Sequence, residues 1–339
     1  MSRRHSRRTP SEFLAEYEGS SSVALQPAAR RGYLPCVLLS SSLKFRIALL
    51  RSLEHVAPSV AGRLVADLFT TPRRLEAPQW ERELALQGRP RRIAGLHLTE
   101  FGAKVGPPIV LLHGWEGRGL QLGQFIAPLR GLGARVIAMD GPAHGDSLGV
   151  TSGPFEFAKA LLDLQATLGP FRGIVAHSMG GPSTAIALSR GLQVERVALL
   201  GSPADLSEVL DRFCAFLHVG PRIRVAFRAE MSRRTGVSVD ASRFEAFVRE
   251  VEIPVLVVHD RADAEVPLSE GHACAAAFRN SQMVEVDADG HRRMLKSPVV
   301  IAMVAAFFGS RAAREYGRTR MESDSLAASA KSTRDASSD

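Results

Sequence analysis

The serine at position 178 stands in a segment whose residue types favour nucleophilic chemistry. Residues 174–181 read Ile-Val-Ala-His-Ser-Met-Gly-Gly, so an apolar run leads into the serine and a helix-forming stretch follows it. Ala176 and Gly180 are small, as a tight strand-to-helix turn requires, because larger side chains would collide with the neighbouring strand and helix. Such a turn lifts the Ser178 hydroxyl out of the sheet, and the N-terminus of the following helix favours developing negative charge. The alternative is a glycine-rich turn with an ordinary surface serine.

A serine hydroxyl is a weak nucleophile at neutral pH and needs a base within hydrogen-bond reach. The chain offers His291, which follows Gly290 on a polar segment late in the sequence. A carboxylate that holds the imidazole in one tautomer would complete the group. The acidic candidates follow apolar segments upstream of this histidine: Asp205, Asp260, Asp263 and Glu265.

Two further loops follow short apolar segments. Residues 110–117 read Val-Leu-Leu-His-Gly-Trp-Glu-Gly, and residues 140–147 read Asp-Gly-Pro-Ala-His-Gly-Asp-Ser. The glycine and proline residues of the second loop suit a tight bend. His113 could act as a base, and His144 and Asp146 could be catalytic, but we interpret all three as residues that shape their loops.

Together these loops resemble those of the α/β-hydrolase superfamily, and more closely the serine hydrolases similar to AB hydrolase-1. The nucleophile turn of that superfamily is Gly-x-Ser-x-Gly, and this chain has Ala176 in place of the first glycine. The resemblance covers roughly residues 85–310 and includes the order nucleophile, acid, base along the chain. These motifs are specific for the superfamily and uninformative about the substrate.

The resemblance implies roles for individual residues. Ser178 corresponds to the nucleophile and His291 to the base that takes its proton. The backbone N–H groups of Trp115 and Met179 correspond to the oxyanion hole, where a side chain of any type is tolerated because the backbone does the work. Such a site requires neither a metal ion nor an organic cofactor.

The acid is identified by the same resemblance. In the acid loop of the superfamily the carboxylate is followed by two residues and then by Val-Pro, which matches Asp263 and the pair Val266-Pro267. Asp260 remains a rival, and Asp205 a weaker one because some relatives carry the acid after the preceding strand.

The elements that must position these residues follow an α/β pattern. Short apolar segments alternate with segments of helical periodicity, which indicates βαβ units and a mostly parallel sheet. Active residues in such sheets follow the carboxyl ends of the strands. The resemblance implies eight strands flanked by helices. The predicted strands are residues 91–98, 108–112, 134–139, 173–176, 194–200, 253–258 and 282–286.

The segment between the strands predicted to end at residue 200 and to begin at residue 253 contains no clear strand. Its periodicity predicts a helical lid at about residues 202–252. Five apolar side chains would face either the site or the core: Leu206, Leu210, Phe213, Phe216 and Leu217. Arginines could form an electropositive rim for acidic substrates such as CoA thioesters, but we favour a solvated helix face. They are Arg212, Arg222, Arg224, Arg228, Arg233, Arg234 and Arg243.

The flanking segments differ in composition from the α/β domain predicted over residues 81–310. Residues 1–42 are rich in Arg, Ser and Pro and residues 311–339 in Ser, Ala and charge, so we predict that both are disordered. The true start of the protein could lie further in than Met1. Residues 43–80 carry apolar residues at helical spacing interrupted at Pro58, which predicts N-terminal helices.

Charge, cysteine usage and hydropathy limit the kinds of binding partner and the cellular compartment that we expect. The formal net charge of +8 comes almost entirely from arginine, a pattern typical of GC-rich codon usage, and we expect no nucleic-acid partner. The three cysteines form no CxxC pair, which argues against a zinc site or a disulfide framework. Because no apolar run reaches the roughly 18 residues of a membrane span and no secretory signal is evident, we predict a cytoplasmic protein.

The function predicted from these features is hydrolysis of a carboxylic ester of a small or medium acyl group through an acyl-serine intermediate. Thioesterases, amidases or peptidases and carbon–carbon bond hydrolases use the same triad and remain alternatives. A receptor-like protein that binds a ligand with little turnover is another, although its usual sign is a missing triad residue. The expected partner is a small-molecule acyl substrate, and the sequence leaves the oligomeric state open.

Overall fold

The computed structural model describes Ile47, Leu50 and residues 52–310. The two segments predicted to be disordered, residues 1–42 and 311–339, lie outside the described residues. The strands are β1 (Arg89–Ile93), β2 (Leu96–Gly102), β3 (Pro108–Leu112), β4 (Arg135–Met139), β5 (Gly173–His177), β6 (Val197–Leu200), β7 (Val255–Asp260) and β8 (Ser281–Val286).

Helices alternate with these strands from β3 onward. The α-helices are α1 (Pro58–Thr70), α2 (Gln79–Ala85), α3 (Ile126–Gly131), α4 (Pro154–Leu168), α5 (Gly180–Ser189), α6 (Leu206–Leu217), α7 (Pro221–Thr235), α8 (Phe244–Val248), α9 (Leu268–Ala277) and α10 (Pro298–Gly309). Short 3-10 helices cover Gly119–Phe125, Val239–Ala241 and Arg293–Lys296.

All eight strands form one sheet in the order β1-β2-β4-β3-β5-β6-β7-β8. Strand β2 pairs antiparallel with β1 on one side and with β4 on the other. The six strands β3 to β8 are parallel to one another. The predicted class, an eight-stranded and mostly parallel α/β sheet flanked by helices, is confirmed.

Both faces of the central strands are buried, which explains why their sequences are continuous apolar runs. In β3, Val110 and Leu112 belong to one apolar cluster and Ile109 and Leu111 to another on the opposite face. The first cluster includes apolar residues of α4 and α5, and the second includes those of α3 and α10. Alternating side chains therefore anchor helices on the two faces of the sheet.

The register of the parallel strands brings their carboxyl ends to one edge. Leu112 pairs with Met139 and with Ala176, and the next pair along, His177 and Leu200, continues the row. Leu200 in turn pairs with Val258. Residues that follow these strands in sequence are therefore neighbours in space, as the rule for open α/β sheets requires.

The N-terminal edge of the sheet differs from the prediction. We expected one strand over residues 91–98, but β1 and β2 form a hairpin there. Ala94 (φ 49°) and Gly95 (φ 81°) make its two-residue turn, and positive φ at both positions is the mark of a type I′ turn. The prediction was wrong because Ala94 is an unusual residue for the left-handed region.

The segment between β6 and β7 is helical, as predicted, and it packs against the N-terminal helix. Side chains of α1, α6 and α7 form an apolar cluster separate from the two on the sheet. Gly62 of α1 lies so close to α7 that a Cβ atom there would be 2.7 Å from the carbonyl carbon of Ala226. The helical insertion and α1 thus share one core.

None of the helices in the described part of the chain is long and apolar enough to span a bilayer.

Candidate active site

Ser178 occupies the sharp turn between β5 and α5. Its φ of 53° lies in the left-handed region, which a non-glycine residue adopts only under constraint. The Ser178 N–H donates to the carbonyl oxygen of Leu200 at 2.9 Å, which fixes the turn to the neighbouring strand. A Cβ atom at Gly180 would lie 2.8 Å from the carbonyl oxygen of Leu112, so this position tolerates no side chain. The small residues expected around the serine therefore serve close packing.

His291 and Asp263 form a buried hydrogen-bonded pair. The Nδ1–H of His291 donates to Oδ2 of Asp263 at 2.7 Å, and the two side chains are 5% and 0% exposed. The other carboxylate oxygen, Oδ1, accepts the N–H groups of Glu265 and Val266, each at 2.8 Å. Burial alone would raise the pKa of Asp263, but the hydrogen bond and charge of His291 and these backbone donors together lower it.

The pair lies beside the serine turn. A Cβ atom at Gly201, the residue after Leu200, would be 3.1 Å from Nδ1 of His291 and 3.3 Å from Oδ2 of Asp263. Leu200 itself accepts the Ser178 N–H. Ser178 follows β5, Asp263 follows β7 and His291 follows β8, so the three predicted residues lie beyond the carboxyl ends of strands in one parallel sheet, with the His291–Asp263 pair beside the residue that follows β6.

The two rival carboxylates have other contacts. Asp260 is fully buried and accepts the N–H groups of Ala262 at 2.7 Å and of Ala288, so it ties the acid loop to the histidine loop. Asp205 caps α6 by accepting the Ser207 N–H at 2.8 Å, and Arg243 donates to it at 2.9 Å. Neither has a hydrogen bond to His291 among the described residues.

The peptide before Trp115 and the residue Met179 both adjoin the serine. Met179 follows Ser178 at the start of α5, and Gly114 approaches so closely that a Cβ there would be 2.7 Å from Cβ of Ser178. Within the described part of the chain, neither the Trp115 N–H nor the Met179 N–H has a hydrogen-bond acceptor. Two free backbone donors beside a serine could stabilise an oxyanion.

His113 orients the peptide that carries the Trp115 N–H. Its Nδ1–H donates to the carbonyl oxygen of Gly114 at 2.6 Å, and the Gly117 N–H donates to the same oxygen at 3.1 Å. Because the peptide unit is planar and trans, the Trp115 N–H points the opposite way from that carbonyl. Nε2 of His113 accepts the Gly141 N–H at 2.9 Å, and burial, with the charge of His144, lowers the pKa of His113 to about 4.

The loop after β4 is built around a buried carboxylate. Asp140 accepts the N–H groups of Gly119 at 2.8 Å and Asp146 at 3.0 Å, and His97 lies 3.3 Å away. His97, Asp140 and Asp146 offer three potential metal-ligand atoms within 4.8 Å of one another. These contacts already engage both oxygens of Asp140, which accounts for the cluster as a loop anchor. His144 donates to the carbonyl oxygen of Pro142 at 2.8 Å and packs against Trp115.

His177, which sequence analysis did not single out, anchors the loop that carries His291. Its ring centroid lies 4.6 Å from that of His291, and its Nε2–H donates to the His291 carbonyl oxygen at 3.0 Å. Burial first, and the charge of His291 second, lower the pKa of His177 well below its usual value, so it is neutral. Its partner lies 114 residues further along the chain, a separation at which sequence pattern carries no signal.

The insertion is less electropositive than its composition suggests. Six of the seven arginines named above have a guanidinium nitrogen within 4.0 Å of a carboxylate oxygen in the described structure. Arg228, for example, contacts both Asp211 and Asp240, and Arg233 and Arg234 share Glu230. Paired charges of this kind favour the solvated-face interpretation over a rim for acidic substrates.

The fold is that of the open-sheet α/β class, and its candidate site sets a serine turn beside a hydrogen-bonded histidine–aspartate pair. The sequence profile of the Alpha/beta hydrolase family matches residues 109–304, more than half of the chain. The protein therefore belongs to the alpha/beta hydrolase family and is a hydrolytic enzyme, as the motifs predicted. No curated protein sequence shows significant similarity to it.

Solved structures show the same fold at low sequence identity. A serine hydrolase from the polyaromatic hydrocarbon-degrading bacterium Cycloclasticus zankles is 18% identical over 66% of this chain and 97% of its own, with a TM-score of 0.51. A putative lipase from Acinetobacter baumannii is 16% identical over 69% and 97%, with a TM-score of 0.50. A membrane phospholipase A described as a bacterial virulence factor is 19% identical over 78% and 96%, with a TM-score of 0.52.

Proposed function

We propose that this enzyme cleaves a carboxylic ester or a related acyl bond through a covalent acyl intermediate on Ser178. The observation that carries the proposal is the 2.7 Å hydrogen bond from His291 to Asp263 beside a serine held at φ 53°. A histidine oriented by a buried carboxylate next to a strained serine is the arrangement that activates a hydroxyl for nucleophilic attack.

The chemistry follows from these roles. His291 takes the Ser178 proton while Oγ attacks the substrate carbonyl, and the resulting oxyanion accepts the Trp115 and Met179 N–H groups. His291 then donates the proton to the leaving alcohol, amine or thiol, and the carbon–heteroatom bond breaks. A water molecule attacks the acyl-serine with His291 again as base, which releases the acid and restores the serine. Asp263 stays ionised and stabilises the imidazolium.

The insertion and α1 are proposed as the cap over this site. Phe69, at the end of α1, stacks on Trp115 with ring centroids 6.3 Å apart and contacts Phe213 of α6 at 5.0 Å. Both phenylalanines are only partly buried. An aromatic wall beside the candidate oxyanion donor supports an apolar acyl group over a charged one.

The test is labelling with a fluorophosphonate probe, which reacts with activated serines. Wild type is expected to label and to hydrolyse p-nitrophenyl acyl esters, whereas Ser178→Ala should do neither. Ser189→Ala, at the end of the same helix, is the matched control and should behave like wild type. Parallel assays with an acyl thioester and an anilide separate esterase from thioesterase and amidase activity. A wild type that neither labels nor turns over would favour a ligand-binding protein on this fold.

A cytoplasmic location stays a prediction. Among the described residues Cys214 and Cys274 are buried free thiols.

A further inference from the structure

The segment that joins α1 to α2, residues 71–78, is called the strap here because it lies along two loops of the site. Arg74 of the strap donates to three carbonyl oxygens of the loop after β4, those of Gly145, Ser147 and Gly149. In the reverse direction, Arg118 donates to the strap carbonyls of Leu75 at 2.7 Å and Glu76 at 3.0 Å. Arginine contacts thus connect the strap to both loops.

The loop that carries Trp115 contains a strained residue. The Gly117 N–H donates to the Gly114 carbonyl oxygen, which closes a four-residue turn with Trp115 and Glu116 in the middle. Glu116 has φ 55°, whereas Trp115 is not left-handed, and this combination defines a type II turn. The third residue of such a turn is normally glycine, because a side chain there disfavours the left-handed conformation.

Arg73 of the strap forms hydrogen bonds to the carboxylate of Glu116, the strained residue. Its backbone N–H donates to Oε1 of Glu116 at 3.1 Å, and its Nε lies 2.8 and 3.0 Å from the two carboxylate oxygens. Its Nη2 donates to Oε2, so the guanidinium and carboxylate meet in a two-pronged contact. The Glu116 side chain is 15% exposed although that of Arg73 is 62% exposed.

We propose that Arg73 is a positioning residue for the oxyanion site, which rests on the function proposed above. By holding the Glu116 carboxylate it keeps this residue left-handed, and the left-handed Glu116 keeps the Gly114–Trp115 peptide turned so that its N–H faces Ser178. The N-terminal strap is then part of the catalytic apparatus as well as a support for the cap.

The contact differs from an ordinary surface ion pair in two respects. Exposed ion pairs between flexible side chains contribute little, but here a backbone N–H of the strap shares the same carboxylate. Phe69, four residues before Arg73, stacks on the Trp115 ring, so strap and helix hold the turn from more than one side. Arg73→Ala keeps the backbone N–H contact and removes only the guanidinium contacts, so it should weaken the hold on Glu116 and leave the fold intact.

The test compares Arg73→Ala with Arg63→Ala, a control on the exposed face of α1, and with Glu116→Gly alone and combined with Arg73→Ala. Arg73→Ala should lower kcat for an acyl ester about tenfold or more with little change in KM, since an oxyanion contact acts in the transition state. Arg63→Ala should match wild type. Glycine adopts positive φ without support, so Arg73→Ala should cause no further loss of kcat when it is added to Glu116→Gly, whatever the kcat of the Glu116→Gly enzyme itself.

Hydrogen exchange of the amides in residues 113–119 gives a readout independent of turnover. It should be faster in Arg73→Ala than in wild type or Arg63→Ala. If Arg73→Ala retains the wild-type kcat, or loses the same factor with glycine at position 116, the positioning role is wrong. If wild type itself shows no Ser178-dependent hydrolysis, the proposed function fails. Unchanged exchange in Arg73→Ala would separately refute the positioning role of Arg73.

Discussion

At the residue scale, two carboxylates three positions apart at the end of β7 have different tasks. Asp260 accepts two backbone N–H groups from different loops, whereas Asp263 accepts the Nδ1–H of His291. Both are buried, so burial alone does not distinguish a catalytic acid from a structural one.

Conversion of each carboxylate to its amide separates these tasks. Asp263→Asn should lower kcat by about 10⁴-fold, because an amide favours the wrong imidazole tautomer and cannot stabilise the imidazolium. Asp260→Asn should lower the melting temperature and leave kcat within about tenfold, because its contacts are structural. Steady-state kinetics and thermal unfolding of both variants check this. The assignment is wrong if Asp260→Asn abolishes turnover and Asp263→Asn retains it.

Sequence pattern predicted some residues of the candidate site and not others, for a physical reason. Ser178, Asp263 and His291 each follow an apolar strand, and parallel strands bring such positions to one edge. Arg73 and Glu116 are 43 residues apart on irregular segments, where neither periodicity nor strand order predicts contact. The left-handed Glu116 is also invisible, because the sequence at a turn favours glycine and gives glutamate no signal there.

At the element scale, helices of the insertion could be predicted because each has an apolar face, but their partner could not. The face of α7 that carries Ile223 and Phe227 is covered by α1, which lies well over a hundred residues earlier in the chain. The hairpin of β1 and β2 was missed for a related reason, since its turn uses Ala94 where a stronger turn residue is typical.

The close approach of α1 to α7 at Gly62 makes a test of this interface. Gly62→Ala places a Cβ 2.7 Å from backbone and side-chain carbons of Ala226, so α1 must shift. We expect a loss of about 1–3 kcal/mol in the free energy of unfolding, as for other overpacked sites. Gly131→Ala is the matched control, since a Cβ there meets no atom within 4 Å, and it should be neutral or slightly stabilising. Urea unfolding of both variants measures the difference, and equal stabilities would contradict the packing.

At the scale of the whole molecule, two features of charge stand apart: the net positive charge of the chain and the buried histidines with lowered pKa values. The net charge of +8 is offset locally on the insertion by the ion pairs of its arginines. The histidines instead surround the site. His113, His144 and His177 are all buried, and burial is the largest cause that lowers the pKa of each.

These three histidines should make the folded protein sensitive to mild acid. Their pKa values in the folded state lie below about 6.5, to about 4 for His113, so between these limits the unfolded chain binds protons that the folded chain does not. Stability is then lost as pH falls from about 6.5, by up to about 1.4 kcal/mol per pH unit for each histidine.

The other groups with shifted pKa values titrate mainly outside the range from about pH 6.5 to about pH 4, or only weakly oppose the loss of stability within it. The pKa of His97 is raised, chiefly by its hydrogen bond to Asp140, so it titrates above this range, and the lowered pKa values of Asp140 and Asp263 act below it. Burial raises the pKa of Glu81 and Glu195 from 4.5, which adds stability in acid near the lower end. Urea unfolding at about pH 7 and pH 5 should show a net loss on acidification. His144→Gln should reduce that loss, and His272→Gln, at an exposed position, should not. A stability that is constant or rises toward pH 5 would show that the buried histidines take up protons in the folded state.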